Sequence, residues 1–160
     1  MVDVVSLQME MNNTRSERMK VVYIAGPIRK GGIWENAAQA DDAMLDLMRA
    51  GFCVINPMLS CWAGAARAEL DAGGPHCQSS PHPLAHGGFR ELGAEPWLTM
   101  DLELVARSDA LLRLPGESTG ADGEVCHAVR RGIPCFDVIA DLVAHFAERD
   151  TVQGHTEGGR

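Results

Sequence analysis

Residues 21–32 read VVYIAGPIRKGG, and the fold is decided there. Val21–Ala25 is a short uncharged run of β-branched, aromatic and small residues, the form of a strand buried on both faces, and Gly26-Pro27 ends it. A helix is predicted next over residues 34–50, with Ala37, Ala40, Met44, Leu47 and Met48 at helical spacing and Gly51 as its stop. Residues 52–56 form a second apolar strand, closed by Pro57. The alternation resumes with a helix over 97–107, a strand over 109–114 and a helix over 121–131 ended by Gly132. A strand over 133–138 and a helix over 140–148 complete it. Apolar strands alternating with helices predict an α/β fold: a doubly wound parallel sheet, covered on both faces, in a single domain. Ligands of such sheets bind beyond the carboxyl ends of the strands, near a switch in strand order. The residues just after Ala25, Asn56 and Leu114 are therefore the first candidates for a site.

The remaining segments set the domain limits. Residues 1–19 are polar without a sustained period and read as a loose extension, so the domain is expected over 20–150. The Gly-rich tail, 151–160, is expected to fray. Residues 63–96, rich in Gly, Ala, Pro and His, interrupt the alternation and read as a lid or an insertion, with a short helix at 62–71. The 160 residues are 46% hydrophobic and 22% charged, which suits one folded domain and excludes wholesale disorder. Fourteen Lys and Arg against 22 Asp and Glu leave a net charge of -8, a field that repels polyanions. No nucleic-acid polymer and no membrane surface is expected as partner. The five cysteines, at 53, 61, 77, 126 and 135, are an odd set without CxxC spacing and read as reduced thiols of a cytoplasmic protein. No apolar run reaches the roughly 18 residues of a membrane helix.

Three places carry candidate chemistry. Asp101 falls in the apolar stripe of its helix, sharing a face with Leu98, Leu102 and Val105, while Thr99, Glu103 and Arg107 lie opposite. An acid in that position must be bonded or at a pocket edge, because an unpaired buried charge is very costly. Ser118-Thr119-Gly120-Ala121-Asp122-Gly123-Glu124 follows the third strand. Ser118 and Gly120 are expected in the turn and Glu124 in the first helical turn, where backbone N–H groups cradle anions. The helix dipole alone also favours an acid there, and Ser commonly caps. The first loop, Gly26-Pro27-Ile28-Arg29-Lys30-Gly31-Gly32, offers glycines and two cations for one phosphate, without a dinucleotide fingerprint or a P-loop. His76, Cys77, His82 and His86 match no standard ligand spacing, so no metal and no cofactor is expected. Cys126 and His127 are adjacent on a helix, hence on different faces.

Taken in order, Tyr23-Ile-Ala-Gly-Pro-Ile-Arg-Lys-Gly-Gly, Asp101-Leu-Glu with Asp109 eight residues on, and Ser118-x-Gly120-x-x-x-Glu124 resemble the nucleoside 2-deoxyribosyltransferase superfamily. Within it the likeness is greatest to the 2'-deoxynucleoside 5'-monophosphate N-hydrolases, over about residues 20–138 apart from 63–96. The resemblance implies a flavodoxin-like fold and cleavage of an N-glycosidic bond. It implies that Glu124 attacks the anomeric carbon and forms a glycosyl-enzyme ester, that Asp101 handles the leaving base's proton, and that Tyr23 holds the nucleophile. It further implies substrate contacts at Gly26, Pro27, Ile28, Arg29, Ser118 and Gly120. Serine at 118, where nucleoside-specific relatives carry an acid, favours a deoxynucleotide over a free deoxynucleoside, since an acid repels phosphate. Two other activities fit the same residues: base exchange by a deoxyribosyltransferase, and nucleotide sensing without turnover. A homodimer or higher homo-oligomer is also implied.

Overall fold

The computed structural model of the chain describes residues 18–28, 30–59 and 95–154. Four parallel strands, β1 (Val21–Ala25), β2 (Cys53–Ile55), β3 (Ala110–Arg113) and β4 (Cys135–Phe136), form one sheet in the order β2-β1-β3-β4. Four longer helices connect and follow them: α1 (Ile33–Arg49), α2 (Glu95–Ala106), α3 (Thr119–Arg130) and α4 (Ile139–Gly154). The fold is the doubly wound α/β type, with the flavodoxin-like strand order and a switch point between β1 and β3.

The alternation of side chains along β1 and β3 divides the core in two. Val22, Ile24, Ala110 and Leu112 pack against Ala37, Ala40 and Leu47 of α1 and Leu142 and Phe146 of α4. Tyr23, Ala25 and Leu111 face the other way, onto Val105 of α2 and Ala121 and Ala128 of α3. Gly51 ends α1 with φ +90°, a backbone state that costs glycine little and a side chain more.

Several boundaries differ from those the sequence predicts. β2 and β4 are shorter, because among the described residues each pairs on one side only and its ends lack ladder partners. α2 begins at Glu95, since Pro96 is tolerated in a first helical turn. α4 continues through the first residues of the tail to Gly154, no earlier Gly or Pro interrupting it. Of the predicted stripe on α2, Asp101, Leu102 and Val105 are shielded, together with Trp97, Leu104 and Ala106, whereas Leu98 is 51% exposed. The predicted short helix at 62–71, and the histidines and Cys77 of the 63–96 segment, lie outside the described residues.

The fold also takes in Arg18, two residues before the expected start. Its guanidinium forks onto Asp109, with N–O distances of 2.8 and 2.5 Å. Asp109 also accepts from the Val21 N–H at 2.8 Å, while its own N–H donates to the Val21 carbonyl. Burial pushes the Asp109 carboxyl up, but the bonds from Arg18 and Val21 and the charges of Arg18 and Lys20 outweigh it and hold the group below its ordinary value. A depressed carboxyl stabilises the fold above its unfolded pKa and loses that contribution as pH falls through the folded one. Asp109→Ala should therefore cost about 1–3 kcal/mol at pH 7 by denaturant unfolding. The gap from the parent should narrow only as pH falls below the ordinary carboxyl range and through the depressed folded value, where both proteins lack the carboxylate. A gap independent of pH would mean that the side chain acts by packing alone.

Candidate functional site

Glu124 approaches the sheet because of how α3 begins. Ser118 is the N-cap, its hydroxyl accepting from the Ala121 N–H at 3.2 Å, and the helix starts at Thr119. This start, two residues earlier than the sequence suggests, moves Glu124 out of the first turn into the second. The dipole effect fades within the first turn, so helix electrostatics alone do not account for an acid there. Ala121 and Ala128 of the same helix are buried against the sheet, and small side chains allow that close approach.

Beneath α3 lies Tyr23, wholly buried in the central strand. Its hydroxyl donates to Glu124 Oε1 at 3.0 Å. Burial, and after it the negative charges of Glu124 and Asp101, raise the Tyr23 hydroxyl far above its ordinary pKa, so it serves as a donor and not as a base. Burial pushes the Glu124 carboxyl up to about 7; the Tyr23 bond and the Arg113 charge oppose that rise, and Asp101 reinforces it. Burial likewise raises Asp101 to about 6. Like charges in one site do not ionise independently, so the pair retains a proton into the neutral range. The donors act on Glu124 alone, the Tyr23 hydroxyl and a nearby guanidinium both lowering it. Burial outweighs them and leaves it at about 7, above Asp101 at about 6, so the two carboxyls share their proton as a pair.

Both carboxyls line an open cleft at the carboxyl ends of β1, β2 and β3. Its other walls are mostly apolar, formed by Ile24, Ile28, Pro57, Met58 and Leu114. Apolar walls with a few convergent polar groups are the lining typical of small-molecule sites. Among the described residues no group of three or more His, Cys, Asp or Glu could hold a metal ion. No described helix is long and apolar enough to cross a membrane.

The remaining expected site residues divide into three groups. Gly26, Pro27 and Ile28 line the cleft with the carboxyls. Ser118 and Gly120 lie at the start of α3 and are not among the lining residues; the Ser118 hydroxyl is used in capping, with its own hydrogen left to donate. Arg29 lies outside the described residues. Lys30, the second cation of the first loop, pairs with Glu117 at 3.0 Å on the exposed surface.

The sequence reading missed three polar residues that shape the cleft. Asn36 donates to the carbonyls of Ile28 at 3.3 Å and Lys30 at 2.8 Å, pinning the first loop. Asn56 donates to Asp41 and accepts from the Met58 N–H, fixing the chain after β2. Arg113, at the end of β3, bonds the carbonyls of Leu114 and Gly116 and pairs with Asp122. A polar residue beside the inward positions Ala37 and Ala40, and a lone charge closing an apolar strand, were the available signals. Gly116, at φ +111°, brings the turn after β3 against the first loop: a Cβ there would come within 2.9 Å of Pro27 Cγ.

Comparison of the chain with protein-family models and with curated proteins finds no match in either.

The Tyr23–Glu124 bond can be tested without a substrate. Tyr23→Phe keeps the ring but removes the donor, so the Glu124 midpoint should move above about 7 in a carboxyl-carbon NMR titration. An unmoved midpoint would mean that the hydroxyl does not hold the carboxylate.

Proposed function

We propose that the chain is an N-glycosidase acting on 2'-deoxynucleoside 5'-monophosphates through a covalent intermediate on Glu124. The observation that carries this reading is the hydrogen bond from buried Tyr23 to Glu124, with Asp101 in the same cleft. A helix acid serving only the fold needs no buried phenol donor. A nucleophile that must keep its charge away from water does need one.

The roles follow from the donors. Tyr23 holds Oε1, so Oε2 of Glu124 attacks the anomeric carbon. The C–N bond breaks as the C–O ester forms, and its electron pair leaves with the base, which takes a proton from Asp101. Asp101, now ionised, accepts a proton from water as that water opens the ester, returning Glu124 as carboxylate. One ionised and one protonated carboxyl is the set that such double-displacement chemistry uses. A 2'-deoxy sugar suits the mechanism because no 2'-oxygen withdraws electrons from the developing cation. The apolar walls suit a flat heterocyclic base, while Ser118 and the N-terminus of α3 supply donors for the 5'-phosphate.

Base release from a panel of deoxynucleosides and their 5'-monophosphates, followed chromatographically, tests the reading. The monophosphates should be cleaved faster, and Glu124→Ala should abolish release from every substrate. Asp101→Asn should cost about 10²–10⁴-fold on natural bases and much less on an activated leaving group that needs no proton. Equal loss on both would remove the acid role. The pH profile of kcat/KM should be a narrow bell with limbs near 6 and 7, the pKa values of the pair. Below it both carboxyls are protonated and no nucleophile exists. Above it both are ionised and no acid remains. Glycosylation of added free base faster than deoxyribose phosphate appears would make the chain a transferase. No base release from any member would reject the glycosidase reading.

A further inference from the structure

The carboxyl end of β3 holds a charge that the proposed chemistry does not yet use. Arg113 closes an otherwise apolar strand, and its side chain is only 15% exposed. One terminal nitrogen bonds the Leu114 carbonyl. The other bonds the Gly116 carbonyl at 2.8 Å and Asp122 Oδ1 at 2.9 Å. The guanidinium thus ties the end of the strand, the turn after it and the first turn of α3 into one unit. Glu124 stands two residues beyond Asp122 on that helix. A planar fork of this kind cannot be replaced by an ammonium without losing bonds.

We propose that Arg113 is a positioning residue for Glu124: its fork fixes the turn that starts α3, and the guanidinium held there favours the carboxylate form of Glu124. Asp122 does not cancel that charge, because its side chain is 65% exposed and water screens it, whereas Arg113 lies inside. The elements packed around α3 contribute few other titratable groups: Tyr23 from β1, Asp101 from α2, Cys135 from β4 and, on α3 itself, Asp122 and His127. Of these, Tyr23 favours the Glu124 anion by donating a bond and Asp101 opposes it by its charge. Arg113 is the neighbouring cation that offsets Asp101. In this way the phenol and the guanidinium both act on Glu124, the carboxyl placed to attack, and narrow the gap that burial opens between it and Asp101.

The inference deepens the glycosidase reading but can be tested apart from it, by carboxyl-carbon NMR titration of Glu124 in the protein without substrate. In Arg113→Gln the midpoint should rise above that of the parent. In Arg113→Lys, which keeps a charge but not the fork, it should return most of the way, while the melting temperature falls in both variants. If the chain turns over deoxynucleotides, the acid limb of kcat/KM should rise in Arg113→Gln. The rate on the acid side should then drop roughly tenfold for each pH unit moved and recover towards the alkaline side. A Glu124 midpoint unchanged in Arg113→Gln, with or without a lower melting temperature, would reduce Arg113 to a staple of the turn and overturn the inference. Should the Gln variant not fold, the Lys variant decides: a midpoint well above the parent's despite the retained charge would overturn it equally. Failure of base release, with the titrations as expected, would sink the glycosidase reading alone.

Discussion

The hydrogen bond between Tyr23 and Glu124 is the constraint around which the rest of the molecule is arranged, because neither partner could be buried without the other. A phenol wholly inside a central strand needs an acceptor, and a carboxylate pressed against a sheet needs a donor. β1 is paired on both sides and sealed by helices on both faces, so the phenol oxygen is located by the core itself. The glutamate is then located by the phenol. Its helix can meet this demand because Ala121 and Ala128 let it lie close, and because the Ser118 cap sets where its turns fall.

That placement has an electrostatic consequence. Burial raises Asp101 and Glu124 together, which would leave both protonated if nothing distinguished them. The fold acts on them unequally through two elements that meet at the switch point: β1 supplies a hydroxyl and β3 a guanidinium, both lowering Glu124, which burial still leaves at about 7 beside Asp101 at about 6. Asp101 comes from the helix that precedes β3, where its neighbours Leu104 and Val105 are apolar. Parallel strand order thus creates the asymmetry, since only at a switch point do loops from oppositely directed crossovers converge on one cleft.

The sequence disclosed those features that depend on periodicity. The four described strands, the four longer helices and the parallel sheet could be read from apolar runs and glycine stops. Asp101 stood out as an acid inside an apolar stripe, whereas grouping it with Tyr23 and Glu124 rested on the family resemblance. Less was legible where tertiary contacts override local pattern. Leu98 has the hydropathy of a core residue, yet it is half exposed, while its neighbour Trp97 is partly shielded. Arg113 looks like a solvated strand end because nothing in a linear pattern reveals that carbonyls of its own turn will surround it. The Arg18–Asp109 fork joins residues 91 positions apart and leaves no local trace. Edge strands came out too long for a similar reason: residues 52–56 and 133–138 have the composition of strands, but pairing on one side supports only their middles.

For a nucleotide substrate the overall charge works against binding, since a net charge of -8 repels a phosphate at long range. At physiological ionic strength that repulsion is screened over about 8 Å, so what decides recognition is the set of donors within direct reach. On the proposed reading, the turn after β3 would present such donors. Its path is held by Arg113 on the inside, by contact of Gly116 with Pro27, and by the exposed Lys30–Glu117 pair. Of these the ion pair contributes least, because water surrounds both partners. The backbone N–H groups at the start of α3 therefore stand at a fixed distance from a carboxyl whose own position is fixed by Tyr23. A ligand that engaged both ends would be held by two rigid elements of one sheet, with its middle against apolar walls. Such a geometry selects by length as well as by charge: a phosphate joined to a reacting carbon by a short linker can satisfy both ends, while a longer or shorter anion loses one of them.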